Sequence, residues 1–74
     1  MSKYAVVYEP PERSGGSWGA YAPDLPGLGV VADTFEECRK SIASGIVAHI
    51  AALRQFGYPV PAPTSEVEML DVAA

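Results

Sequence analysis

Pro23-Asp24-Leu25-Pro26-Gly27 lies between two short apolar runs, Ser17-Trp18-Gly19-Ala20-Tyr21-Ala22 before it and Gly29-Val30-Val31-Ala32 after it. Its two prolines fix two φ angles and remove two amide donors, so no regular ladder passes through the block. Gly27 allows the positive φ that closes such a turn. The block therefore reads as a stiff corner joining two strands, and Asp24 is placed to bond nearby backbone amides in an Asx-type turn.

On the N-terminal side, Lys3 to Glu9 reads as a strand with Tyr4, Val6 and Tyr8 on one face and Ala5 and Val7 on the other. Both faces are apolar, which predicts cover on both sides: a helix on one, a second subunit or a partner on the other. Pro10 to Gly16 is a loop by composition. A strand, a short Gly-rich loop and the strand Ser17–Ala22 make an antiparallel hairpin, with Trp18, Ala20 and Ala22 on one face and Tyr21 on the other. Gly29–Ala32 is the third strand.

A helix follows. Thr34 and Glu37 have the spacing of a capping box, in which the hydroxyl takes the Glu37 amide and the carboxylate returns to the Thr34 amide. Asp33 and Glu36 offer the same pairing one residue earlier, so the start is defined to within one residue. Phe35, Cys38, Ile42, Ile46, His49, Leu53 and Phe56 recur at three- and four-residue steps, giving one apolar stripe, with Lys40, Ser44 and Arg54 opposite. Gly57 offers a C-terminal stop and Pro59 prevents resumption. Mid-helix Gly45 costs roughly 1 kcal/mol against alanine, which a close approach of the sheet or another helix would explain; the alternative is a tolerated surface glycine.

Pro59, Pro61 and Pro63 alternate, as in an extended linker lying back over the body. Glu66 to Val72 alternates again and reads as a final strand. The element order is then β-β-β-α-β in a single domain, residues 1–74. The class is α+β: a small antiparallel sheet with one helix packed on one face. The other face of that sheet needs an occupant.

At 74 residues the core is small, and the chain carries one cysteine and one histidine, so neither an internal disulfide nor a structural zinc set staples it. Oligomerisation is the remaining common remedy. Net charge is −4, which argues against a nucleic-acid footprint and favours a basic partner. No signal-peptide h-region and no run of about 20 apolar residues is present, so the expectation is a cytoplasmic protein without membrane insertion.

No assembled reactive set is visible. Metal-dependent nuclease chemistry needs several convergent carboxylates, and Glu36 and Glu37 are committed to the helix start. His49 lies eleven positions beyond Cys38 on one helix, ~16 Å away, too far for a cysteine–histidine pair. Gly15-Gly16 lacks the spacing and the lysine of a phosphate loop. The reading is no catalytic residue, no metal and no cofactor. The residues proposed to meet a partner are Trp18, Tyr21, Asp24, Leu25 and Glu9, with Trp18 placed first because it follows an exposed Gly-rich loop.

Taken together, Tyr4-Ala5-Val6-Val7-Tyr8-Glu9-Pro10, Gly15-Gly16-Ser17-Trp18, Pro23-Asp24-Leu25-Pro26-Gly27, Asp33-Thr34-Phe35-Glu36-Glu37 and Gly57-Tyr58-Pro59-Val60-Pro61 resemble the HicB antitoxin family over nearly the whole chain. The resemblance implies a degraded, partial ribonuclease H-like fold without enzyme activity. It also implies a small basic partner, the HicA-like toxin that cleaves messenger RNA, whose active site the antitoxin blocks, and a homodimer or homotetramer. Many family members add a C-terminal DNA-binding segment. Here the chain ends just after the last expected strand, so direct DNA binding is not expected. Leu28-Gly29-Val30-Val31-Ala32 replaces a stretch that is often polar in the family, and reads as a self-association surface. The alternative function is a solitary self-associating protein of the same fold, with neither toxin partner nor DNA binding.

Overall fold

A computed structural model describes residues 2–73. Its elements are β1 (Val7–Glu9), β2 (Trp18–Tyr21), β3 (Gly29–Ala32) and α1 (Phe35–Gln55). The strands form one antiparallel sheet in the order β1-β2-β3, with Val7 opposite Tyr21, Tyr8 opposite Ala20 and Glu9 opposite Gly19. Across the second pair, Trp18 meets Ala32 and Tyr21 meets Gly29.

The first strand is shorter than Lys3–Glu9. In the same register Val6, Ala5 and Tyr4 would face Ala22, Pro23 and Asp24. Pro23 offers no N–H there, and the chain is already turning away. The corner is two consecutive turns sharing Leu25. The Leu25 amide donates to the Ala22 carbonyl at 3.0 Å, and the Leu28 amide donates to the Leu25 carbonyl at 3.2 Å. Each turn has proline at its second position, where the ring presets φ, and Gly27 takes the positive φ (88°) that the second turn requires.

Thr34 is the N-cap, with extended backbone. Its hydroxyl accepts from the Glu37 amide at 3.1 Å. The return arm differs from the expected box: the Thr34 hydroxyl donates to the Glu37 carboxylate at 3.0 Å. The other end is a Schellman motif. Gly57 has φ +74°, the Tyr58 amide donates to the Leu53 carbonyl at 2.9 Å and the Gly57 amide donates to the Arg54 carbonyl at 3.2 Å.

Ala20, Cys38 and Ile42 form the buried centre, with Val6, Tyr8, Trp18, Leu28, Val30, Ala32 and Ile46 packed against it. The helix lies over β2 and β3 and reaches β1 only through side chains, Tyr8 against Phe35. Gly45 is the point of close approach: a Cβ there would sit 3.2 Å from Leu28 Cδ1 and 3.8 Å from Val30 Cγ1. Gly45→Ala would ask only a small shift of a leucine tip and would gain up to about 1 kcal/mol of helix propensity. Gly45→Leu would wedge the helix off β3 and is expected to cost about 1–3 kcal/mol. Urea denaturation of the two variants separates close approach from a tolerated surface glycine.

The C-terminal segment corrects the expected topology. Residues 66–73 form no strand and are exposed throughout, so the described architecture is β-β-β-α. Alternation makes a strand only where a neighbouring edge completes its hydrogen bonds. Among the described residues no backbone bond ties this segment to the rest. The proline linker before it does lie back on the body, where Tyr4 Oη donates to the Pro61 carbonyl at 2.6 Å.

Candidate functional site

Strand parity sorts the expected partner residues. The helix-facing side of the sheet carries Tyr8, Trp18, Ala20, Val30 and Ala32. The opposite side carries two rows set by the register, Val7–Tyr21–Gly29 and Glu9–Gly19–Val31. Among the described residues no element covers this second face. Tyr21 is 40% exposed and Val31 77%. Glu9 is exposed at its edge, and its carboxylate reaches across to within 3.8 Å of where a Cβ on Gly19 would stand. A shallow groove of about 390 Å³ follows the second row, walled by Glu9, Glu12, Arg13 and Val31. The open face thus combines an aromatic and an aliphatic anchor with two carboxylates and one guanidinium at its rim.

The other three residues sit elsewhere. Trp18 is half-buried on the helix side, edge-on to Phe35 with ring centroids 5.2 Å apart, and Tyr8 tilts against the same ring at 4.8 Å. These geometries favour packing of the aromatic quadrupoles. Leu25 is fully buried, 0% exposed, as the shared residue of the two turns.

Asp24 is engaged with the tail. The Ser65 amide and hydroxyl donate to it at 2.9 and 2.7 Å. The Thr64 amide and hydroxyl donate at 3.1 and 3.3 Å. The expected local Asx turn is replaced by four bonds to residues forty positions away. Charged acceptors draw strong bonds from such donors. The Ser65 amide, followed by the Ser65 hydroxyl, holds the Asp24 carboxyl below its ordinary value, against a smaller opposing effect of burial.

Glu12 joins the open face without having been singled out in the sequence, and Val31, expected within a self-association stretch, lies on the same face. Val31 was accessible to parity reasoning, since it alternates with the inward Val30 and Ala32. Glu12 comes there by the path of the β1–β2 loop, which residue types do not reveal. Cys38 is buried and His49 half-buried on the same helix. Among the described residues, no three His, Cys, Asp or Glu side chains come together to hold an ion, and no helix is long and apolar enough to cross a membrane.

A family model described as the HicB-like antitoxin of bacterial toxin–antitoxin systems matches residues 4–73. The chain belongs to the HicB-like antitoxin family. No curated protein and no solved structure gives a significant match. The matched span takes in the sheet, the double turn, the helix and the clasped tail of this antitoxin-family chain. Membership implies a toxin as partner.

Proposed function

We propose that this HicB-like chain neutralises a small basic messenger-RNA-cleaving toxin of the HicA kind in the bacterial cytoplasm, by lying over the toxin's active site. The family match over residues 4–73 carries this reading. Supporting it is the open sheet face, where Tyr21 and Val31 stand exposed and Glu9 and Glu12 wall the groove beside Val31. Large aromatics concentrate binding energy at interfaces. Net charge of −4 speeds encounter with a cationic RNA-binding groove and opposes binding of the chain itself to nucleic acid. The role needs no reactive group on this chain: it covers a surface and excludes RNA from it.

The test is co-expression with the small basic protein encoded next to it, followed by co-purification and an RNA-cleavage assay. A stable complex with cleavage abolished is the expected result. Tyr21→Ala is expected to weaken the complex about 30-fold, a hot-spot loss of ~2 kcal/mol. Glu9→Lys should slow association and lessen its salt dependence. Full nuclease activity at saturating antitoxin would refute the reading.

A further inference from the structure

The chain has 7 glycines, and all but two have a reason inside the molecule. Gly15, Gly27 and Gly57 take positive φ. A Cβ on Gly16 would stand 3.1 Å from the Arg13 carbonyl oxygen, and one on Gly45 would crowd Leu28. Gly19 and Gly29 have neither reason. A Cβ there would meet nothing nearer than 3.8 and 3.7 Å respectively, an ordinary contact. Glycine in a strand weakens it, and marks a bulge, a bend or close approach by another molecule. The β2–β3 register runs unbroken through both positions, which leaves close approach. Both glycines lie on the open face of the sheet.

Their placement shapes that face. Gly29 pairs with Tyr21, and Gly19 pairs with Val31. The glycines therefore occupy one diagonal of the two strands, and the exposed Tyr21 and Val31 the other. Diagonal positions in a sheet are roughly 7–8 Å apart. The gap between the two side chains admits one extended side chain, whereas a helix, about 10 Å across, is too wide. At Gly19 the gap meets the groove of about 390 Å³ walled by Glu9, Glu12, Arg13 and Val31. Two carboxylates against one guanidinium leave that end anionic.

We infer that one arginine or lysine of the toxin threads this gap, its aliphatic stem over Gly29 and Gly19 and its cationic head at Glu9 and Glu12. The inference rests on the toxin reading and names the group the toxin presents to this face. A long cationic side chain lays its stem on apolar surface and keeps its head among polar groups, and its head makes charge-assisted bonds to carboxylates. An acidic side chain would be repelled there. An apolar one would strip water from two carboxylates and replace none of its hydrogen bonds.

Calorimetric titration of the full-length chain with the small basic protein encoded next to it tests the inference. Gly19→Val and Gly29→Val each fill the gap. Each should weaken binding about 10-fold or more. The urea midpoint of the free chain should hold or rise, because valine suits a strand better than glycine does. Glu12→Gln should weaken binding less and flatten its salt dependence. Alanine substitution of each toxin arginine and lysine should find one whose loss cancels the effect of Gly19→Val, as a double-mutant cycle shows for groups in contact. Wild-type affinity in both valine variants overturns the inference and leaves the toxin reading standing. A set of cycles in which no toxin cation couples to Gly19 does the same. A wild-type chain that binds no toxin overturns both. If a valine variant fails to fold, Gly19→Ala and Glu12→Gln put the same question to a folded chain.

Discussion

Leu25→Ala is expected to lower the unfolding free energy by about 2–5 kcal/mol, the range for removing a fully buried leucine. A domain of this size has roughly 4–11 kcal/mol in total, so the variant would lose a large share of its stability. Leu25 has no exposed surface. It also closes the first turn through its amide and opens the second through its carbonyl. Loss of its side chain leaves a cavity where the chain changes direction twice, and backbone on both sides is too constrained by Pro23 and Pro26 to collapse into it. The measurement is a urea titration followed by the fluorescence of Trp18. It also separates two roles for this residue. A contact residue for a partner would leave the melt unchanged and weaken only the complex; a melt within 0.5 kcal/mol of wild type, a margin typical of surface substitutions, would refute the structural role.

Asp24→Ala is expected to free the segment from Thr64 onward without unfolding the sheet and helix. Four donors converge on this carboxylate, while the core centred on Ile42 does not involve it. Amide exchange at Thr64 and Ser65 should rise to that of an open chain, and proteolysis should move to the Pro61–Ser65 region. Acid should do the same to the wild type. The folded-state pKa of Asp24 lies below the unfolded value of 3.8. The clasp's contribution is therefore fully present above that value and disappears as pH falls through the lower folded one. Following the Thr64 and Ser65 amide resonances with pH should give a midpoint below 3.8. A midpoint above it, or tail release near neutral pH, would show that something other than the carboxylate holds the segment.

The local features of the fold were legible because each is encoded within a few residues. Thr34 and Glu37 placed the helix start, Gly57 its end, and parity put Trp18 and Ala20 on one face of β2 and Tyr21 on the other. The errors came where the deciding partner is distant in sequence. Asp24 had a local Asx turn available and took donors forty residues away. Glu66–Val72 has the alternation of a strand, but alternation describes faces and says nothing about which edge completes the ladder. Trp18 was favoured as a contact because of the loop before it; parity put it on one face with Ala20, and the structure shows that face turned to the helix. Glu9 and Tyr21 kept their exposure because they belong to the row with no element above it.

Cys38, the chain's single thiol, is wholly enclosed in the packed centre. With no exposed surface, the sulfur is out of reach of reagents while the fold is closed. The native protein should therefore resist alkylating reagents and peroxide, and each modification event would record a transient opening of the whole fold. Mass spectrometry of timed labelling would convert that one sulfur into a clock for unfolding, with no fluorophore added.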